Sequence, residues 1–123
     1  MSAKVGQKAP GFTMPTTKNL DTLDHVVRLD DYKGKWLVLF FYPLDFTFVC
    51  PTEIKGFNSH LDKIRNLNAE VLGVSTDSVY SHRAWIKTSL DDGGLGGLDY
   101  PLASDITKQV SRDYGVLIEE QGI

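Results

Sequence analysis

Apolar and polar positions along the chain change period several times, and each change marks an element. Residues 1–30 hold no sustained period. Pro10, Gly11 and Pro15 punctuate them, which predicts extended chain with turns and a short strand over 26–29. Residues 30–35 form a polar turn. Seven consecutive apolar residues follow, Trp36 to Tyr42, rich in aromatics and stopped by Pro43. Such a run predicts a strand buried on both faces, as in a parallel sheet. A buried helix is the competing reading, and seven residues are short for one. After Pro51 the period becomes three to four. Ile54, Phe57, Leu61, Ile64 and Leu67 recur with Lys55, Asn58, Asp62 and Lys63 between them, which predicts one amphipathic helix. Residues 71–74 read as a second buried strand and 79–89 as a helix presenting Val79, Ala84, Trp85 and Ile86. A glycine-rich loop covers 91–97 and a strand 100–103. Ile106, Val110 and Tyr114 predict a helix stopped by Gly115, and 116–118 begin a last strand. This alternation argues an α/β fold with a largely parallel sheet and helices on its faces. One compositional regime, without repeats or linkers, predicts one domain over 1–123.

Composition narrows the function classes. At 41% hydrophobic and 24% charged residues, the 123-residue chain has the make-up of a soluble globular protein. Its net charge of -3 supplies no basic footprint for nucleic acid. No apolar run approaches the ~20 residues that span a bilayer, and the first residues lack a signal-peptide core. The expectation is a cytoplasmic protein that engages neither membrane nor nucleic acid. One cysteine excludes an internal disulfide and a cysteine-rich metal site. No His/Cys/Asp/Glu set has metal-ligand spacing, so no metal is expected.

The single cysteine carries the candidate chemistry. Cys50 follows the apolar strand across a short loop and stands at the mouth of a predicted helix. Pro51 suits the first helical position, where its missing N–H has no partner to lose. The sulfur is then expected near unpaired backbone N–H groups and the positive end of the helix dipole, both of which favour thiolate. A thiolate is the nucleophilic form, and attack on a peroxide oxygen converts it to a sulfenic acid. The other reading is a small buried hydrophobe, the commonest use of a lone cysteine. The residues alone leave both readings open. A dithiol reductase is set aside, because Cys50-Pro51-Thr52-Glu53 has no second cysteine.

Pro43, Thr47 and Cys50 fit the spacing P-x-x-x-T-x-x-C. The string from Phe41 through Pro43, Thr47, Cys50 and Pro51 to Glu53 resembles the active-site signature of peroxiredoxins, closest to the typical two-cysteine group that includes the alkyl hydroperoxide reductase C subunits. The likeness extends through Asp31 to Trp36, Gly73 to Ser78, His82 to Trp85, Gly93 to Gly97, Tyr100 to Leu102 and Tyr114 to Leu117. It implies a thioredoxin-like fold of the peroxiredoxin type. The implied activity is thiol-dependent reduction of hydrogen peroxide and organic hydroperoxides, with no metal, haem or flavin in this chain. Cys50 is the implied peroxidatic cysteine. Thr47 is implied to hydrogen-bond peroxide and thiolate, Pro43 to shield the pocket from water, and Glu53 to help orient an arginine.

The resemblance implies a thioredoxin-like or flavoprotein reductant and a homodimer, in many members a ring of dimers. Phe46, Phe48 and Trp85 are expected contributors to such contacts, although His82 and Trp85 are otherwise assigned to packing and His25 and His60 to the surface. Residues 93–96 resemble the glycine loop of members prone to overoxidation. The chain departs from the pattern after Ile123, so a C-terminally incomplete fold is expected, without the family's active-site arginine and resolving cysteine. Arg28, Arg65, Arg83 and Arg112 do not match that arginine's position. An alternative of a different class is a non-catalytic assembly or holdase-like protein.

Overall fold

The structure is a computed structural model and describes residues 2–47 and 50–123. Its centre is a three-stranded parallel sheet in the order β3-β4-β5, formed by Trp36–Phe41, Ala69–Ser75 and Leu102–Ser104. Val38 stands opposite Val71, and Val74 opposite Ala103. A short antiparallel hairpin precedes it, β1 (Thr13–Pro15) and β2 (Val26–Arg28), with Met14 opposite Val27. The hairpin is tied to the sheet where the Thr17 N–H donates to the Leu102 carbonyl at 3.0 Å and the Leu102 N–H to Thr17 Oγ1 at 3.0 Å.

The two-residue period of a strand sorts the core into two layers. On one face Val71 and Leu102 pack with Ile54, Leu61, Trp85 and Tyr100. On the other, Leu72, Val74 and Ala103 pack with Phe12, Met14, Val27 and Val110. The first layer is covered by α1 (Cys50–Ser59), α2 (Leu61–Asn66) and α3 (Val79–Lys87). The second is covered by the hairpin and α4 (Gln109–Asp113). Gly73 lets the layers close, since a Cβ there would stand 2.7 Å from Phe40 Cζ and 2.8 Å from Leu102 Cδ2.

Several expectations are corrected. The aromatic run, β3, is half-buried rather than buried on both faces. Among the described residues its strand neighbour is β4, and the fully buried strand is β4, where Leu72 and Val74 are sealed from solvent. The single helix expected over 54–67 is two. In a continuous helix the Gly56 carbonyl would accept the His60 N–H. Instead Ser59 Oγ donates to it at 2.9 Å and His60 Nδ1 lies 3.0 Å away, while the His60 N–H turns to the Phe57 carbonyl. His60 adopts φ -106°, ψ 10°, and α2 starts afresh. Strand β1 lies in a stretch read as extended chain with turns.

The strand expected at 116–118 is absent. The Ile118 N–H donates to the Ile123 carbonyl, and the Ile118 carbonyl accepts from Gln121 and Gly122, so this backbone closes a turn rather than a ladder. Helix α4 starts after Ile106, which is exposed, because the Asp105 carboxylate takes the Val110 and Ser111 N–H groups and Lys108 stands at φ 67°. Gly115 stops it as expected, at φ 74°. His25 is half-buried and His60 exposed. Among the described residues no helix is long and apolar enough to cross a membrane.

Candidate active site

The candidate nucleophile is placed by the sheet. β3 ends at Phe41, the chain crosses residues 42–49, and Cys50 opens α1. Phe48, expected to contribute to contacts between subunits, lies outside the described residues. The first N–H groups of an α-helix have no intrahelical acceptor, so the backbone around 50–53 is a donor-rich, positively polarised position. Pro51 falls in this first turn, where an absent N–H breaks no helical hydrogen bond.

The other expected residues are distributed around that opening. Thr47 is half-buried, and its hydroxyl donates to the Leu44 carbonyl at 3.2 Å, which leaves the oxygen free to accept. It lines a cleft of about 310 Å³ with Phe46, Pro51, Thr52, Lys55 and Gly94. Pro43 is exposed and faces a different cavity of about 280 Å³, with Tyr42, Val74 and Ile118. Among the described residues Thr47 and Pro43 line different cavities. Glu53 is exposed in the first turn of α1, beside Gly56, Phe57 and His60.

A buried polar cluster fixes the crossing loop. Asp45 is almost wholly buried, and its carboxylate accepts from the Tyr42 hydroxyl at 2.7 Å and from Ser81 Oγ at 2.8 Å. His82 Nδ1 lies 2.7 Å from Asp45 Oδ2, and Nε2 lies 2.9 Å from the Ala103 carbonyl. A carbonyl can only accept, so Nε2 carries a hydrogen. The Asp45 N–H donates to Asp77 Oδ2 at 2.7 Å, which also accepts from Ser75 Oγ. Burial holds the Tyr42 hydroxyl well above the usual phenol range, and the Asp45 charge and hydrogen bond add to this, so Tyr42 remains a donor. This cluster joins the loop to α3 and to the ends of β4 and β5.

Sequence reasoning assigned His82 to packing, which its full burial bears out, and missed the partnership with Asp45. The signal available was a charged residue inside a short loop otherwise rich in apolar side chains. Phe46, next to Asp45, is a non-glycine residue at φ 62°, a conformation of order 1–3 kcal/mol above the usual wells. Its ring centroid stands 6.1 Å from that of Trp85. Trp85 itself is fully buried and donates Nε1–H to the Gly93 carbonyl at 3.0 Å, so it cannot serve as a surface contact. Phe46 is half exposed.

The glycine-rich segment caps α3. The Leu95, Gly96 and Gly97 N–H groups donate to the Trp85, Thr88 and Ile86 carbonyls, which satisfies acceptors at the helix end. A Cβ on Gly94 would fall inside the van der Waals envelope of the Thr88 carbonyl. The segment is held to α1 by Lys55 Nζ on the Gly97 carbonyl at 3.0 Å and by the Tyr100 hydroxyl on the Ile54 carbonyl at 2.7 Å.

A parallel β3-β4-β5 sheet flanked by helices, with a cysteine opening the helix after its first strand, is a thioredoxin-like arrangement. The family model described as AhpC/TSA family matches residues 5–123, and the chain belongs to that family. It is 54% identical over 123 residues to a putative peroxiredoxin in the rubredoxin operon of Clostridium pasteurianum, covering 100% of this chain and 69% of the relative. It is 52% identical over 122 residues to peroxiredoxin-2 of Mus musculus, covering 99% of this chain and 61% of that protein. The crystal structure of reduced Plasmodium vivax 2-Cys peroxiredoxin superposes with a TM-score of 0.89 at 45% identity, covering 95% of this chain and 61% of that one. Mycobacterium tuberculosis AhpC superposes with a TM-score of 0.83 at 33% identity, over 98% of this chain and 76% of that one. The chain thus spans about two thirds of the length of these relatives.

Proposed function

We propose that the protein is a thiol-dependent peroxidase with Cys50 as its nucleophile. The observation that carries this reading is the position of Cys50 at the opening of α1 in a member of the AhpC/TSA family. A thiolate there attacks one oxygen of a hydroperoxide. The S–O bond forms as the O–O bond breaks, and the departing alkoxide or hydroxide takes a proton to leave as alcohol or water. Cys50 is left as the sulfenic acid. First-turn N–H groups stabilise the thiolate, and Thr47 is proposed to hydrogen-bond both reactants by turning its hydroxyl hydrogen from the Leu44 carbonyl to the thiolate and accepting from the peroxide O–H, so that donors stand where charge moves from sulfur to the leaving oxygen. Pro43 is proposed to shape the approach and limit water, and Glu53 to orient a cationic partner.

Return to the thiol consumes two electrons and releases water, supplied by a thioredoxin-like or flavoprotein dithiol partner. The proposed assembly is a homodimer or a ring of dimers, and the proposed compartment is the cytoplasm, where a lone thiol stays reduced. The test is addition of substoichiometric hydrogen peroxide with a sulfenic-acid trap, read by mass spectrometry on wild type and Cys50→Ser. Rapid labelling at Cys50, absent in the variant, is expected. A folded protein whose Cys50 stays unlabelled would end the peroxidase reading.

A further inference from the structure

A polar cleft lies at the opposite end of the sheet from Cys50, and nothing in the peroxidase reading uses it. It measures about 450 Å³ and is bounded by the hairpin, the turn before β3 and the start of β4. Six residues of β3 separate it from the active-site loop, roughly 20 Å at the strand rise. Four cations line it, Lys18, Arg28, Lys35 and Arg65, with two carboxylates, Asp31 and Glu70. A cleft with this excess of positive charge is unexpected in a chain of net charge -3.

The carboxylates are already engaged. Asp31 Oδ2 accepts the Arg28 backbone N–H at 2.9 Å. Glu70 is shared by Arg65 Nε at 3.0 Å and Lys35 Nζ at 3.9 Å. The charged ends of Lys18 and Arg28 carry no such ion pair among the described residues, and both side chains are exposed. The cleft also has an apolar side, formed by Val26 and Pro101. Tyr32 also lines the cleft. Burial and the neighbouring Glu70 and Asp31 charges push its hydroxyl up to about 12, so it stays a neutral donor.

We propose that this cleft binds a small phosphorylated molecule bearing a flat apolar ring, of the nucleoside diphosphate class, with its phosphates on Lys18 and Arg28 and its ring against Val26 and Pro101. Phosphate suits a guanidinium and an ammonium that lack a carboxylate partner, and the fork of Arg28 can hold two oxygens at once. The volume accommodates a ligand of that size. The site is independent of Cys50 chemistry, so its test does not depend on peroxidase activity.

The test is calorimetric titration of the purified protein with ADP, pyrophosphate and adenosine at physiological ionic strength. ADP is expected to bind more tightly than either fragment. Lys18→Ala and Arg28→Ala are each expected to weaken ADP about tenfold, the loss of one charge-assisted contact. Lys87→Ala, an exposed cation on the last turn of α3, is expected to leave it unchanged. Both cleft substitutions are at exposed side chains, and far-UV circular dichroism verifies the fold. Absence of ADP binding at millimolar concentration overturns the proposal. So does an equal loss in Lys87→Ala, which would mean diffuse attraction, or pyrophosphate binding as tightly as ADP, which would leave the apolar side without a role.

Discussion

Replacing Asp45 with alanine should destabilise the protein by about 3–5 kcal/mol, the cost of leaving several buried polar groups without the acceptor they share. The carboxylate accepts from Tyr42 at 2.7 Å and from Ser81 at 2.8 Å and faces His82 Nδ1 at 2.7 Å. Tyr42 and His82 are both buried, and alanine leaves them without that acceptor. An unsatisfied buried polar group costs about 1–3 kcal/mol. The two costs overlap because the groups form one network, so the sum of separate penalties is an upper bound. Asp45 keeps one anchor in the variant, its backbone N–H on Asp77, so the loss is confined to the side chain.

Urea unfolding followed by tryptophan fluorescence reads this, and Trp85 lies 5.7 Å from Tyr42 between ring centroids. With a slope of about 2 kcal/mol per molar, the midpoint should fall by about 2 M. A cycle with His82→Ala isolates the pair, and a coupling of about 2 kcal/mol or more is expected for groups in direct contact inside one network. A loss below about 1 kcal/mol for Asp45→Ala, or a coupling near zero, would refute the argument that this pair is what holds the loop.

Gly94→Ala should cost about 2–3 kcal/mol, because the new methyl meets the Thr88 backbone rather than a movable side chain, and thermal denaturation measures it. Tyr100→Phe removes the hydroxyl's buried hydrogen bond to the Ile54 carbonyl and should cost about 1 kcal/mol in the same assay, whereas Tyr80→Phe, at an exposed position, should stay within about 0.5 kcal/mol. Thr47→Val should slow sulfenic-acid formation at Cys50 by roughly a hundredfold while Thr47→Ser retains most of the rate, a stopped-flow comparison that tests the proposed hydroxyl contact. Tyr32 ionises at about 12 in the folded protein against 10.0 when free, so the unfolded chain holds fewer protons across that window. Stability should therefore fall as pH rises from 10 to 12, and less so in Tyr32→Phe, with absorbance at 295 nm following the ionisation.

Elements defined by one local period were legible in the sequence. The aromatic run became β3 and the residues around Val71 became β4, in a parallel pair. The 79–89 pattern became α3, with Trp85 and Ile86 buried. What failed depended on neighbours distant in the chain. Burial on both faces follows from position within a sheet, and the apolar run alone could not reveal that β4, not β3, takes the middle. The break at His60 arises from a contest for the Gly56 carbonyl, which leaves the apolar stripe undisturbed from Ile54 to Ile64 and so invisible to periodicity. Val116, Leu117 and Ile118 are apolar enough for a strand, but a strand also needs a partner, and this backbone bonds to its own turn.

The site divides in the same way. Cys50 at a helix opening follows from Pro51 and the stripe behind it, all within a dozen residues. Asp45 and His82 meet only because β3 and α3 deliver them to the same end of the sheet, so nothing local pairs them. That meeting has a consequence for chemistry at the helix opening. Phe46 holds a strained backbone between the Asp45 anchor and Thr47, and its ring rests against the buried Trp85. A loop free at one end would relax that strain. Anchored through Asp45 to α3 and through Asp77 to the end of β4, it cannot do so without breaking buried hydrogen bonds. The position of Thr47 relative to the start of α1 is therefore set by the core on either side of the loop, and core substitutions that touch neither residue should still disturb it.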